Sequence, residues 1–163
     1  MNFNECLEFM KEKHEGQRRK QGTPYYLHPL AVSNILKEKG FPLEYQITGL
    51  FHDLLEDTDA TLEEITKLSN GEIANAVKIL SKYPGYVMQE YIQGIRQNHV
   101  ARMTKLADRI HNLSEACYGN SKFQEKYLKE TNDWFIDLAK DTVFEKDLRN
   151  VIEKLKDEME EER

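Results

Sequence analysis

A stretch of ten residues in the first third of the chain, Gly49–Thr58, constrains the fold most strongly. Its apolar residues recur at the spacing of one buried face of a helix. They are Leu50, Phe51, Leu54 and Leu55. The same stretch carries one imidazole and three carboxylates. They are His52, Asp53, Glu56 and Asp57.

The four titratable residues form two pairs at helical spacing. His52 and Glu56 are four residues apart and share a face, and Asp53 and Asp57 repeat that relation one residue later. Burying such groups without partners is costly. A bound metal cation offsets this cost, because it neutralises the carboxylates and takes the imidazole as a ligand. The stretch therefore predicts a metal centre.

The composition favours one globular domain. The chain has 163 residues, of which 39% are hydrophobic and 32% are charged, and this length supports a substantial core. No apolar run approaches the roughly 20 residues of a membrane helix. The first residues also lack the basic-then-apolar order of a signal peptide. We therefore expect a soluble, cytoplasmic protein without membrane contacts.

The distribution of charge along the chain favours a small phosphorylated ligand over nucleic acid as the binding partner. The net charge of −6 argues against binding to nucleic acid. Segment 11–20 is nevertheless basic, which suits a small phosphorylated ligand. The two cysteines, Cys6 and Cys117, lie far apart and outside any metal-ligand spacing, so we expect free thiols.

Amphipathic periodicity predicts helices along most of the chain and no convincing strand. The longer predicted helices cover about residues 4–14, 29–40, 42–58, 88–97 and 99–116, with two more in the C-terminal part. Two capping boxes, Thr61 with Glu64 and Ser69 with Glu72, open two further helices. These patterns predict an all-α fold, a compact multi-helix bundle that forms a single domain over residues 1–163.

A cationic segment between the first two predicted helices has two interpretations. Segment 16–26 interrupts the helical pattern and contains Arg18, Arg19 and Lys20 among turn residues. These cations form either a solvated charge run or an ordered loop that contacts a ligand. The residues alone leave both interpretations open.

Two isolated residues are further candidates for the metal centre. His28 precedes Pro29 at a predicted helix start, where a histidine serves as a cap, a packed side chain or a ligand. Asp108 lies four residues before Asn112 on the helix predicted for 99–116, where it forms either an ordinary salt bridge or a metal contact. Their role depends on whether the chain brings them to the His52–Asp53 pair.

Three motifs in this order resemble a known family. They are GTPYYLHP at 22–29, HDLLEDT at 52–58, and KLADR at 105–109 followed by His111 and Asn112. Together they resemble the (p)ppGpp hydrolase domain of the RelA/SpoT proteins and the small stand-alone alarmone hydrolases, within the HD-domain phosphohydrolases. The resemblance covers about residues 3–140 and leaves a C-terminal helix over 141–163.

The resemblance implies an all-helical HD-domain fold, a bound Mn²⁺ or another divalent first-row metal, and a specific reaction. That reaction is hydrolysis of the 3′-pyrophosphate of ppGpp or pppGpp to GDP or GTP plus pyrophosphate. The implied metal ligands are His28, His52, Asp53 and Asp108. The implied catalytic residues, acting on the attacking water, are Glu56 and Asp57. The substrate contacts that we predict are Arg19, Lys20, Asn112 and Lys126.

The chemistry of these residues is compatible with the implied roles. Two imidazoles and two carboxylates suit a first-row ion better than a structural zinc, which favours thiolates. Arg19 can stack its planar guanidinium on a base, while Lys20 offers a point charge to phosphate. The family often has Arg and Thr where this chain has Ser114 and Glu115.

Two alternatives therefore stay open beside the alarmone hydrolase. One is an HD phosphohydrolase for another nucleotide, either a 2′- or 3′-phosphorylated dinucleotide or a nucleoside monophosphate. The other is a non-catalytic nucleotide sensor. The Glu56–Asp57 pair argues against the sensor, because a binding module has no use for a carboxylate that activates water. Homo-oligomerisation is also left open.

Overall fold

The computed structural model describes residues 1–162; Arg163, the last residue of the predicted C-terminal helix, lies outside the described residues. Residues 1–162 contain helices and turns but no β-strand, apart from an isolated bridge between Arg18 and Pro24. The all-α prediction is confirmed. The chain divides into two compact units, Met1–Lys105 and Leu106–Arg163, so the prediction of a single domain stays a prediction.

The first unit contains most of the helices. They are α1 (Phe3–Lys13), α2 (Leu27–Glu38), α3 (Leu43–Phe51), α4 (Leu54–Asp57), α5 (Leu62–Leu68), α6 (Gly71–Leu80), α7 (Met88–Arg96) and the beginning of α8 (His99–Glu115). The core of this unit is apolar and contributed mainly by α1, α3 and α6. Its buried members include Cys6, Met10, Ile47, Leu50, Phe51, Leu54, Ile65, Ile73 and Val77. Cys6 and Cys117 are both free thiols.

Helices α2 and α3 pack closely at Gly49. A Cβ atom at this position would lie 3.1 Å from both Cα and N of Ser33, and 3.2 Å from Cδ1 of Leu36. Two of these three atoms belong to the backbone of α2, so they cannot rotate away. A residue without a side chain therefore sets the distance between the helix that carries His28 and the helix that leads into His52.

The structure corrects three local predictions. The helix predicted for 42–58 is interrupted at His52 and Asp53, between α3 and α4. Pro29 is the third residue of α2, which begins at Leu27, and not the first. The capping box at Thr61 is confirmed. The one predicted at Ser69 is wrong, because Asn70 caps α6 by accepting a hydrogen bond from the N–H of Ile73.

The second unit continues α8 and adds shorter elements. They are a 3₁₀ turn (Ala116–Tyr118), α9 (Ser121–Glu130), a π-helical turn (Thr131–Phe135), α10 (Ile136–Ala139) and α11 (Glu145–Glu161). Its buried apolar side chains include residues of the π-helical turn, α10 and α11, and Phe144 directly before α11. They are Phe135, Leu138, Phe144, Leu148, Ile152 and Leu155. No helix within residues 1–162 combines the length and the apolar character required to cross a bilayer.

A buried arginine ties α8 to α9 and the π-helical turn within the second unit. The Arg109 guanidinium is 3% exposed and donates a hydrogen bond of 2.6 Å to Oε1 of Glu130. Its carbon Cζ also lies 4.1 Å from the ring centroid of Tyr127 and 4.0 Å from that of Phe135. An ion pair of this kind is costly to break, because removing one partner leaves the other charge buried.

Candidate metal centre and active site

Three of the four predicted metal ligands come from the first unit. His28 is the second residue of α2, whereas His52 and Asp53 occupy the break between α3 and α4. Both imidazoles are buried, with 1% exposure for His28 and 4% for His52. The break in the helix is what places the His52–Asp53 pair at the end of α3, facing the start of α2.

The hydrogen bond made by His52 assigns its tautomer. Its Nδ1 lies 2.6 Å from the carbonyl oxygen of Gly49. A carbonyl can only accept, so Nδ1 carries the proton, and in the neutral form of the ring Nε2 presents a lone pair. That Nε2 lies 3.1 Å from Oδ2 of Asp53. A backbone partner that fixes the tautomer in this way is typical of metal-ligating histidines.

Both imidazoles converge on one carboxylate oxygen. The Nε2 atom of His28 lies 3.7 Å from the same Oδ2 of Asp53, and the ring centroids of His28 and His52 are 5.2 Å apart. When both Nε2 atoms present lone pairs, each of them repels the carboxylate oxygen unless a positive charge lies between them. A proton can satisfy one such pair, whereas a divalent cation can satisfy both imidazoles and the carboxylate together. The donor set therefore fits a first-row divalent ion.

The two predicted catalytic carboxylates lie on α4, directly after the break. Oε1 of Glu56 accepts a hydrogen bond of 2.6 Å from the backbone N–H of Lys82, which fixes this carboxylate from the loop after α6. Asp57 has its pKa raised to about 6, first by burial and then by the negative charges of Asp53 and Glu56. Without a bound cation, burial and the two neighbouring carboxylates thus keep Asp57 protonated up to a higher pH than usual.

Tyr25 belongs to the same site, although sequence reasoning did not single it out. Its hydroxyl donates a hydrogen bond of 2.6 Å to Oδ2 of Asp53 and lies 3.5 Å from Oδ2 of Asp57. Its position within the motif at 22–29 was the one signal in the sequence. The residue type carries no metal-binding chemistry of its own, so periodicity and charge could not reveal it.

The cationic loop before α2 is ordered. The N–H of Arg19 donates to the carbonyl of Thr23 at 2.8 Å, the guanidinium of Arg18 donates to the carbonyl of Gly22 at 2.8 Å, and Gly22 has a φ of 91°. The Arg19 guanidinium carbon lies 5.7 Å from the ring centroid of Tyr25, and Lys20 is exposed. This arrangement favours the interpretation as an ordered loop over a solvated charge run.

The remaining candidates lie in the second unit. Asp108 is 5% exposed on α8, and its Oδ1 accepts a hydrogen bond of 3.0 Å from the side-chain amide of Asn112. Glu115, which departs from the family pattern, lies 3.6 Å from Nε2 of His111 one turn earlier. Lys126 is exposed on α9.

Comparison with protein families assigns the chain to a class. The family model described as the HD domain matches residues 6–142, and the chain belongs to the HD-domain family. This family is associated with divalent metals, in agreement with the donor set at Asp53.

Among the curated relatives, the chain is similar to a GTP pyrophosphokinase of Myxococcus xanthus, with 36% identity over 77% of this chain and 18% of the relative. It is also similar to a guanosine-3′,5′-bis(diphosphate) 3′-pyrophosphohydrolase of Aquifex aeolicus, with 35% identity over 82% of this chain and 20% of the relative. The chain thus spans about a fifth of the length of these relatives.

Among solved structures, the chain is similar to one described as a metazoan ortholog of SpoT that hydrolyses ppGpp. The two share 27% identity over 93% of this chain and 94% of that one, with a TM-score of 0.81. The chain is also similar to a structure of lmo0812 from Listeria monocytogenes, with 22% identity and a TM-score of 0.61 over 82% of this chain and 98% of that one. At this identity the match supports a shared fold and nothing about activity. The matches confirm the resemblance inferred from the three motifs.

Proposed function

We propose that this chain is a metal-dependent hydrolase that removes the 3′-pyrophosphate from ppGpp or pppGpp. The observation that carries the proposal is the convergence of His28 and His52 on Oδ2 of Asp53, directly before the carboxylates of α4. The relatives named above support the choice of substrate, because one carries the name of this reaction and another is described as hydrolysing ppGpp.

In this proposal four side chains hold the ion. They are His28, His52, Asp53 and Asp108. Three of them, the two histidines and Asp108, are buried groups that each offer one ligand atom. Two imidazoles and two carboxylates favour a first-row ion, for which Mn²⁺ is our candidate. When bound, such an ion lowers the pKa of a water molecule and neutralises charge on a phosphate.

The carboxylates of α4 would handle the water and its proton. Glu56 is held through Oε1 by Lys82, so its other oxygen can orient the attacking water. The water oxygen bonds to the phosphorus that is attached to the ribose 3′-oxygen. The bond between this phosphorus and the 3′-oxygen breaks. Asp57, one residue after Glu56 on α4, would take the proton from the water and return it to the leaving 3′-oxygen. The products are GDP or GTP and pyrophosphate.

Four residues are proposed to hold the nucleotide. Arg19 would stack on the guanine base and Lys20 would contact phosphate, from the ordered loop before α2. Asn112 would contact the sugar, and Lys126 is a further proposed contact. The choice of Mn²⁺ over other divalent ions, the cytoplasmic location and homo-oligomerisation stay predictions.

The test is product analysis with ppGpp and added Mn²⁺. We expect equal amounts of GDP and pyrophosphate from the wild-type protein. Glu56→Gln keeps the hydrogen-bond acceptor for Lys82, so it should bind metal normally and lose turnover by at least about 100-fold. Asp53→Ala should lose metal binding itself. Glu63→Gln, an exposed glutamate on α5, is the matched control. Normal hydrolysis by Glu56→Gln would contradict the role given to Glu56.

A second substrate class follows from Glu115. This carboxylate lies one helical turn after Asn112, and it would repel a phosphate placed on the sugar at that point. A nucleotide with a free hydroxyl there would avoid the repulsion, and its hydroxyl could donate a hydrogen bond to the Glu115 carboxylate. Comparing turnover of ppGpp with that of nucleoside monophosphates and of 2′- or 3′-phosphorylated dinucleotides decides between the classes. Faster release of orthophosphate from these substrates would favour the second class.

A further inference from the structure

Within the first unit, Tyr25 contacts both a proposed metal ligand, Asp53, and a proposed substrate contact, Arg19. Its hydroxyl donates to Oδ2 of Asp53 at 2.6 Å, and this is the oxygen on which His28 and His52 converge. Oxygen–oxygen distances this short are typical of charge-assisted hydrogen bonds to a carboxylate. The hydroxyl therefore selects the rotamer of Asp53 that points Oδ2 at both imidazoles.

The backbone and ring of Tyr25 are held from several sides. Its N–H donates to the carbonyl of Gln17 at 2.8 Å, and its own carbonyl accepts from the N–H of His28 at 2.9 Å. The buried His14 ring lies 4.9 Å from the Tyr25 ring, between centroids. Gln17 also accepts a hydrogen bond from Nδ1 of His14 and donates one to the carbonyl of Asp57. The phenol is therefore oriented before any ligand binds.

The ring face of Tyr25 supports the cationic loop. The guanidinium carbon of Arg19 lies 5.7 Å from the ring centroid, within the range of a cation–π contact. Arg19 is the residue proposed to stack on the base of the substrate. A single side chain thus contacts a proposed metal ligand through its hydroxyl and a proposed substrate contact through its ring.

We infer that Tyr25 is a positioning residue with two separable roles. Its hydroxyl holds the Asp53 carboxylate in the orientation that binds the metal, and its ring holds Arg19 in the orientation that binds the nucleotide. The inference rests on the proposed function, because it assigns Asp53 to the metal and Arg19 to the substrate. It adds that the two are connected through one phenol.

The hydroxyl is tested by Tyr25→Phe, which removes one oxygen atom and keeps the ring. Outer partners of metal ligands typically contribute 10- to 100-fold in metal affinity. We therefore expect the dissociation constant for Mn²⁺, measured by isothermal titration calorimetry on the full chain, to rise by about 10- to 100-fold. At saturating Mn²⁺, kcat should recover and KM for ppGpp should stay within about twofold of wild type, because the ring still supports Arg19.

Tyr26→Phe is the matched control, because Tyr26 is also half-buried but directs its ring to Lys11, with Nζ 5.1 Å from the centroid. It should leave both constants unchanged. Urea denaturation of both variants in EDTA separates a loss of metal affinity from a loss of stability. A Tyr25→Phe protein that is folded and binds Mn²⁺ as tightly as wild type overturns the role of the hydroxyl.

The ring is tested by Tyr25→Leu beside Tyr25→Phe. At saturating Mn²⁺, loss of the cation–π contact in Tyr25→Leu should make KM for ppGpp about two- to fivefold higher than in Tyr25→Phe. An equal KM in the two variants overturns the role of the ring. Failure of the proposed function is a different result: the wild-type protein itself would then bind no Mn²⁺ or release no pyrophosphate, and no comparison between variants would be needed to see it.

Discussion

The close approach of α2 and α3 makes Gly49→Ala an informative perturbation. A Cβ atom at Gly49 would lie 3.1 Å from backbone atoms of Ser33, closer than ordinary van der Waals contact. The helix on which Ser33 lies also carries His28, and Gly49 lies three residues before His52. A displacement of a few tenths of an ångström between these helices therefore moves the two imidazoles relative to each other.

The magnitude follows from comparison with Gly94→Ala on α7. A Cβ atom at Gly94 would have its nearest neighbour, Cγ2 of Ile79, at 4.0 Å, so the new methyl group fits. Both substitutions gain about 0.5–1 kcal/mol from the helical preference of alanine over glycine. Only Gly49→Ala also overpacks a helix interface, which costs about 1–3 kcal/mol. The two variants should therefore differ by about 2 kcal/mol.

The assay is urea denaturation of the metal-free protein at 25 °C, followed by calorimetric titration with Mn²⁺. Gly94→Ala should raise the free energy of unfolding slightly and leave metal affinity unchanged. Gly49→Ala should lower the free energy of unfolding and weaken metal binding, because Nε2 of His28 and Nε2 of His52 no longer meet at Oδ2 of Asp53. Equal stability of the two variants, with equal Mn²⁺ affinity, would refute the claim that this contact sets the geometry of the site.

Three further predictions concern charged residues. Asp57→Asn should stabilise the metal-free protein by about 1 kcal/mol at pH 7 and by nothing below pH 4 in denaturant titrations. Partial burial of the carboxyl group, and then the charges of Asp53 and Glu56, raise the folded-state pKa of Asp57 to about 6, so ionising this group costs stability as the pH rises. The expected gain is small because much of the residue remains in contact with solvent, which screens these interactions. Glu130→Gln should lower the free energy of unfolding by about 2–3 kcal/mol, because it leaves the Arg109 charge buried without its partner. Asp133→Asn removes the exposed ion pair with Lys129 and should cost under about 0.5 kcal/mol. Equal losses in the two variants would contradict this prediction. Arg19→Ala should raise KM for ppGpp with little change in kcat, and an unchanged KM in steady-state kinetics would remove the loop from the substrate site.

Local signals predicted the fold well wherever the decisive interactions are local. The Thr61 cap was predictable because both hydrogen bonds of the capping box lie within four residues. The cap at Ser69 was wrong because its hydroxyl already donates to the carbonyl of Ile65, at the end of the preceding helix. Asn70, one residue later, is free to cap α6 instead. The Ser69 side chain could bond either to the end of α5 or to the start of α6, and the apolar periodicity does not distinguish these two possibilities.

The break at His52 and Asp53 was hidden by the apolar pattern. Leu50 and Leu54 are both buried at helical spacing, so the stripe continues across the interruption and predicts one continuous helix. The break becomes visible only in three dimensions, where Nδ1 of His52 donates to the carbonyl of Gly49. A titratable pair inside an apolar helix predicted a metal centre, for which the structure provides a compatible donor set. The pattern did not predict the backbone break that positions this pair.

Tyr25 and Arg109 were missed for a related reason. Tyr25 meets Asp53 across 28 positions of sequence, and Arg109 meets Glu130 across 21. No periodicity or spacing rule predicts which distant carboxylate a phenol or guanidinium will contact. The predicted ligands were recognisable because metal-binding chemistry marks them by residue type, whereas residues that orient ligands carry no such mark.

We propose that one divalent ion is bound by His28, His52, Asp53 and Asp108. Anomalous diffraction from crystals grown with Mn²⁺, measured at the manganese absorption edge, would locate the ion. We expect one anomalous peak per chain, bonded to Nε2 of both histidines and to a carboxylate oxygen of each aspartate. A protein that hydrolyses ppGpp while its anomalous peak lies elsewhere, or is bonded to only one of these four side chains, would contradict it.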